Sequence, residues 1–342
     1  MTGGEDDGLP LALTMGEPGG IGPDITLDAW SRRSALRLPP FYVLADPDTL
    51  RARAAHLGLA VPIETVAPSD TAAVFDRALP VVRLDATVAA EPGVAAPRNA
   101  AAVIEAIARG VGDIRSGLAS GIVTNPINKK VLYDAGFRHP GHTEFLGTLS
   151  AAWTGRPGRP VMMLAGPELR AVPLTIHVPV HAVAGLVTAE LIVETARTVA
   201  ADLRRRFAIP EPRLAVAGLN PHAGEGGAIG TEDVDVIAPA VAALRREGIA
   251  ATGPLSADAM FHKAARAGYD AAICMYHDQA LIPAKTLAFS ETVNVTLGLA
   301  FVRTSPDHGT ALDIAGSGRA DPSSLAAAIR LAARLVANEA AA

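Results

Sequence analysis

One cysteine, two tryptophans and four tyrosines among 342 residues leave this chain to be held together mainly by aliphatic packing. With Cys274 alone no internal disulfide is possible, and its place inside the apolar run AAICMY marks it as a small buried hydrophobe. Absence of a disulfide framework suits a reducing compartment, and a cytoplasmic protein is expected. No apolar stretch approaches the roughly eighteen residues that suggest a membrane span. The opening MTGGEDDGLP is acidic, unlike the basic start of a secretory leader. Positive charge is also short: 30 Lys and Arg stand against 35 Asp and Glu, a net charge of −5. That balance gives no field to draw nucleic acid or an acidic membrane, so an anionic ligand has to be met by local charges.

What is present is a 49% hydrophobic, 19% charged composition, that of a compact globular protein long enough for two moderate domains or one large α/β body. Short apolar runs over Leu9–Met15, Phe41–Ala45, Leu79–Leu84 and Gly121–Asn125 read as strands. Between them lie helical patterns, the clearest over Asn99–Ile114 with Val103, Ile104, Ile107 and Val111 on one face. Such alternation predicts βα units and a largely parallel sheet. A second helix is predicted over Thr188–Phe207, with Leu191, Ile192, Val199 and Leu203 on its stripe. Arg204 to Arg206 end it, as the macrodipole and solvation favour. After the first run comes GEPGGIGPDI, a strand, a glycine turn and a helix start. Backbone N–H groups can face an anion or a cofactor in that arrangement, although the spacing of Gly16, Gly19, Gly20 and Gly22 is neither the dinucleotide fingerprint nor a P-loop. A tight connection explains it equally well.

Three later runs share a pattern. AVPLTI leads into His177, LAVAGLNP into His222 and AAICMY into His277, so each strand delivers a histidine at its carboxyl end. Ligands of parallel α/β sheets bind outside those ends. Three neutral imidazoles with an open position make a site for zinc or a similar divalent ion. Asp278 and Asp258 are carboxylates able to orient such a ligand or to bind the metal directly, although Asp258 in LSADAMF serves equally well as a helix cap. The stretch from Tyr276 to Gly316 then places Lys285, Asn294 and Arg303 at nine-residue intervals and closes with His308-Gly309-Thr310 and Asp313. Buried charge must be paired or bound to something, so this set points to an anionic small molecule. Upstream, TNPINKKVL turns a strand into a helix, and GHTEFLGTLSAAW carries His142 and Thr143, where Thr143 and Glu144 also suit a helix start.

MGEPGGIGPDI, TNPINK, GHTEFL, LNPHAGEGG, YHDQALIPAK and VNVTLGLAFVRTSPDHGTALDIAG, in this order, closely resemble the 4-hydroxythreonine-4-phosphate dehydrogenase (PdxA) family of pyridoxal phosphate biosynthesis, from about Leu11 to Ala332. The resemblance implies a divalent metal (Zn, Mg or Co) on His177, His222 and His277, and substrate held by His142, Thr143, Lys285, Asn294 and Arg303. It also implies kinship with isocitrate and isopropylmalate dehydrogenases: two α/β domains with a cleft between, the first built from both chain ends. On this reading residues 1–125 with 282–342 form the coenzyme-side domain, and 126–281 the central domain with the metal ligands and the contact of a homodimer. The relatives' glycine turn looks like Gly20 and Gly22, and their coenzyme loop looks like His308, Gly309 and Asp313. A carboxylate at Asp313 suits the ribose hydroxyls of NAD and opposes the 2′-phosphate of NADP.

The implied reaction is NAD(P)-linked oxidation of 4-phosphooxy-L-threonine to 2-amino-3-oxo-4-phosphooxybutanoate, which decarboxylates to 3-amino-2-oxopropyl phosphate. Lys285, Asp278 or a water relay are open as acceptors of the alcohol proton. Rival readings are a dehydrogenase of 4-phosphothreonate, 4-phosphoerythronate or a carboxylated dihydrodiol, and, from another class, a phosphate acetyltransferase-like protein or a zinc hydrolase. The loop HGTALDIAG argues against the second class, which needs no nicotinamide.

Overall fold

Runs of four to six apolar residues bounded by Gly, Pro and Asn are too short for stable helices and long enough to cross a sheet. In a computed structural model, which describes residues 8–139 and 141–342, each of the expected runs is a strand. The chain divides into two units: one runs to Arg159 and resumes over Leu299–Ala337, the other takes Pro160–Gly298 and Asn338–Ala342. These changeovers fall later than the crossings expected near Asn125 and Leu281. The helix His142–Thr154 packs on the helix Ala100–Arg115, and the helix His277–Ala288 packs on strands of the second unit, which draws each segment to the side where it buries its apolar face.

The first unit contains β1 (Leu11–Thr14), β2 (Phe41–Ala45), β3 (Ile63–Thr65), β4 (Leu79–Arg83), β5 (Gly121–Thr124) and, after the second unit, a strand at Arg303–Pro306. That last strand lies beside β5, and the order is β3-β4-β2-β1-β5 with every pairing parallel. β1, β2 and β5 are buried along their whole length, which is why they read as continuous rather than alternating apolar runs. The helix Ala100–Arg115 covers β1, β2 and β5 with Val103, Ile107 and Val111. Gly110 lets it come close, since a methyl group there would lie 2.7 Å from Ile122 Cδ1.

In the second unit β6 (Val161–Ala165), β7 (Arg170–Thr175), β8 (Arg213–Ala217), β9 (Ala250–Leu255), β10 (Ala271–Tyr276) and β11 (Val293–Leu297) run in the order β11-β6-β7-β10-β8-β9. β11 with β6 and β6 with β7 are antiparallel, and the remaining pairings are parallel. The first unit's last strand, Arg303–Pro306, is β12. The helix Ala189–Arg205 is capped by Thr188, whose hydroxyl accepts from Leu191 N, and buries Ile192, Ala196, Val199 and Leu203. Its terminal arginines depart from the expected solvated end. Arg206 is 0% exposed and pairs with Asp202 and with Glu339, so it is an internal tie of the second unit.

One buried ion pair anchors the first unit's glycine turn. Arg53, from the helix Pro47–Leu57, pairs with Asp24, and its guanidinium also donates to the carbonyls of Gly20 and Pro18, both at 3.0 Å. Asp24 in turn accepts from Gly316 N at 2.7 Å. Removing the cation leaves a carboxylate buried without its partner. Arg53→Ala is therefore expected to lower stability by about 3 to 5 kcal/mol in urea unfolding. A loss below about 1 kcal/mol would place the pair among weak surface contacts.

Candidate functional site

Parallel pairing of β7, β10 and β8 brings three strand ends to one edge of the second unit, and each expected histidine follows one of them. His277 comes directly after β10, His177 two residues after Thr175, and His222 lies in the turn after β8. The rings of His177 and His277 stand with centroids 5.9 Å apart, and both line a recess of about 210 Å³ together with Tyr276, Val178 and Val180. Asp278, on the same recess, holds His277 Nδ1 at 2.6 Å, fixing which ring nitrogen is left to face a ligand. His222 keeps other company. It sits exposed in a left-handed turn and acts electrostatically on Asp258, whose carboxyl is held below the usual range first by its hydrogen bond from Ser256. Among the described residues no three His, Cys, Asp or Glu side chains stand close enough to hold a metal ion. As arranged in one chain, the three imidazoles therefore do not make a single ligand set. Lys285, on the helix His277–Ala288, has its Nζ 5.5 Å over the ring of Phe289, and Asn294 lies half-buried on β11.

The remaining expected substrate residues belong to the first unit. Arg303 opens β12 and is only 4% exposed. Its Nε and one terminal nitrogen donate to Thr124 Oγ1 at 3.1 and 2.7 Å, and burial pushes the guanidinium down to about 10. It stays charged at neutral pH. His142 and Thr143 begin the helix His142–Thr154 behind Gly141, which has no side chain to cap it. The Nε2 atom of His142 is buried without a hydrogen-bond partner. Burial first, then the charges of Arg303 and Lys129, hold this imidazole well below its ordinary range, so it is neutral at pH 7.

The two expected coenzyme segments meet. Ile21 N donates to Thr310 O at 3.0 Å, and a methyl group on Gly20 would sit 2.8 Å from the same oxygen. The turn's N–H groups do not face outward as a cradle: Gly19 N goes to Glu17 Oε1, Gly20 N to Glu17 O and Ile21 N to Thr310. Gly22 is likewise crowded, its added methyl falling 2.4 Å from Met15 O. These glycines permit close backbone packing. His308 Nδ1 lies 3.1 Å from Gly309 O, and Asp313 is exposed on a short turn of helix.

The family described as pyridoxal phosphate biosynthetic protein PdxA matches residues 37–332. The 4-hydroxythreonine-4-phosphate dehydrogenase of Methylorubrum populi is 59% identical over 331 residues, covering 96% of this chain and 95% of the relative. The chain belongs to the PdxA family. The enzyme of the same name from Bradyrhizobium diazoefficiens is 56% identical over 336 residues, 96% of this chain and 97% of the relative. The crystal structure of the Klebsiella pneumoniae 4-hydroxythreonine-4-phosphate dehydrogenase superposes with a TM-score of 0.83 at 34% identity, covering 96% of this chain and 99% of that one. The mixed α/β architecture of this PdxA-family chain is thus that of a solved relative.

Sequence reasoning missed Thr124, Asn125, Arg53 and Gln279. Asn125 is fully buried and donates to Thr14 O and Thr26 Oγ1, locking the end of β5 to the end of β1. Gln279 accepts from Met275 N at 2.6 Å and donates to Gly218 O at 2.8 Å, joining the ends of β10 and β8 under the histidines. For Thr124, Asn125 and Gln279 the available signal was their place inside TNPINK and YHDQ, motifs at strand ends; Arg53 lies in neither.

A pH effect follows from His142. The native state favours the neutral ring, so the unfolded chain binds more protons below about pH 6.5, and stability falls as pH falls through that value. Compared with His142→Gln, the wild type is expected to lose up to about 1.4 kcal/mol more per pH unit between pH ~6.5 and ~5 in urea unfolding. Parallel curves for the two proteins would show that the ring titrates alike folded and unfolded.

Proposed function

We propose that this PdxA-family chain is an NAD(P)-linked dehydrogenase that oxidises the 3-hydroxyl of 4-phosphooxy-L-threonine to 2-amino-3-oxo-4-phosphooxybutanoate. Supporting it is a buried, charged Arg303 beside a neutral His142, in a chain 59% identical to a protein of that activity name. A guanidinium taken out of water favours a partner of opposite charge, and its forked donors fit phosphate. Thr143 and the start of its helix supply further donors for the same group, and Lys285 and Asn294 are assigned to the substrate with them.

In the reaction the C3–H bond breaks and its electron pair leaves as hydride to the nicotinamide ring. The O–H proton passes to a base, and a C=O bond forms. Lys285 and Asp278 are the groups of this chain assigned to take that proton, directly or through water. The resulting 3-oxo acid then loses carbon dioxide, the electrons of the C–C bond passing into the ketone to leave an enolate, which takes a proton at carbon to give 3-amino-2-oxopropyl phosphate on the way to pyridoxal 5′-phosphate. His308 and Asp313 are assigned to the adenosine end of NAD, with Gly20 acting through its packing on that loop and Gly22 through its packing on Met15 and Asn125.

A divalent metal, Zn, Mg or Co, belongs to the same reading, but one chain does not assemble His177, His222 and His277 into one set. We assign its completion to a homodimer. Supporting this, Val178 and Val180 stand exposed, at 37% and 77%, on the recess of the paired imidazoles, and Ile282, exposed at 63%, lies on the helix that begins with His277.

Two measurements test this function. Formation of NADH from 4-phosphooxy-L-threonine is expected for the wild type, and Arg303→Ala should fall about ten- to a hundredfold or more in kcat/KM, mainly through KM. Arg303→Lys should recover only part. Unchanged substrate kinetics in Arg303→Ala, with lost thermal stability instead, would assign Arg303 to structure alone. For the metal, elemental analysis of the purified dimer and of His177→Ala, His222→Ala and His277→Ala should show metal lost in each variant. Full metal content in all three would remove the assignment.

A further inference from the structure

TNPINKK carries two adjacent lysines with different surroundings. Lys130 turns to Asp134 one helical turn on, with Nζ 2.6 Å from the carboxylate. Lys129 forms no ion pair among the described residues and reaches instead to the start of the helix His142–Thr154. A methyl group placed on Gly141 would lie 3.4 Å from Lys129 Cε and 3.5 Å from its Nζ. The Oε2 atom of the exposed Glu144 lies 3.0 Å from the same point, yet the two side chains are not paired. The charges acting on His142, whose Nε2 is buried without a hydrogen-bond partner, are those of Arg303 and Lys129, both positive.

Cations that converge on one imidazole repel each other and disfavour a third charge on the ring. Folding keeps such an arrangement where an anion lies among them in the working state, because the summed positive potential then becomes attraction. The helix start adds oriented N–H groups that no capping side chain takes up. We propose that Lys129 is a second cationic ligand for the anionic group held by Arg303, a phosphate in the function proposed above, on which this inference rests. Lys129 reaches that group from the solvent side, Arg303 from the core.

Inorganic phosphate is the probe, so the result does not depend on turnover. Wild type, Lys129→Met, Lys129→Arg, Lys130→Met and Arg303→Ala are titrated with phosphate at low ionic strength, following the rise in Tm and the imidazole signal of His142 by NMR. Lys129→Met is expected to weaken phosphate binding about tenfold or more, with Lys129→Arg restoring most of it and Lys130→Met unchanged. In the same variant the His142 ring should titrate at higher pH than in the wild type, an electrostatic change that a merely structural lysine would not produce. Equal phosphate affinity in wild type and Lys129→Met would overturn the assignment of Lys129 and leave the dehydrogenase reading standing. Failure of the wild type to bind phosphate, with no NADH formed from 4-phosphooxy-L-threonine, would remove the anion site itself.

Discussion

Strands that pair in parallel run in one direction and so bring their carboxyl ends to one edge of the sheet, and this constraint organises both units. In the second unit it gathers the residues after β7, β10 and β8, segments far apart in sequence, and sets one histidine behind each. In the first unit it gathers the ends of β1 and β5 beside β12, where Asn125 ties two of the ends together and Thr124 receives Arg303. Side-chain ties then remove the remaining play: Thr175 Oγ1 donates to Met275 O between β7 and β10, and Gln279 spans β10 and β8. Position at the site is thus a property of the ladder first and of local hydrogen bonds second.

Holding these residues costs conformational energy. His177 has φ 52°, and the run His222 to Gly226 is left-handed throughout, with His222, Ala223 and Glu225 at φ between 43° and 53°. Left-handed backbone disfavours each residue with a Cβ by roughly 1 to 2 kcal/mol. Such strain persists only where the surroundings over-determine it. Here Asp233, fully buried, accepts from Leu219 N, Asn220 N and Asn220 Nδ2 at 2.9 to 3.1 Å, fixing the entry to the turn. Strain at two of the three strand-end histidines, offset by a buried carboxylate beneath one of them, is hard to explain by folding alone.

The sequence made the strands legible because a run such as FYVLA or AAICMY is short, wholly apolar and bounded by turn residues. It made the histidines legible because His277 follows such a run directly and His177 and His222 come within two and five residues of their strand ends. The partners were not legible, since nothing near Arg53 announces Asp24 twenty-nine positions earlier, and nothing near Arg206 announces Glu339. Arg206 reads as a solvated helix end until the chain folds back and buries it. β6 was hidden for another reason: VMMLA pairs antiparallel on both sides, an arrangement that βα alternation does not suggest. The changeovers at Arg159 and Gly298 depend on which helices pack together, a long-range choice that local periodicity does not encode. Thr124 looks like any threonine in a strand until Arg303 is placed in the neighbouring one.

Charge state gives the proposed anion site its selectivity. A guanidinium pushed down to about 10 still remains protonated at neutral pH, whereas His142, pushed down from a far lower starting point by burial and by two cations, stays neutral. With Lys129 the site carries two positive charges and a neutral ring, which matches a dianion rather than a monoanion. A carboxylate in the same place would leave one cation uncompensated next to the other. The repulsion that lowers His142 would then persist in the complex. A phosphate removes it, and the relief of that repulsion adds to the direct contacts. Discrimination between phosphorylated and unphosphorylated hydroxy acids therefore exceeds what either cation contributes singly, because each cation's presence raises the cost of leaving the other unmatched.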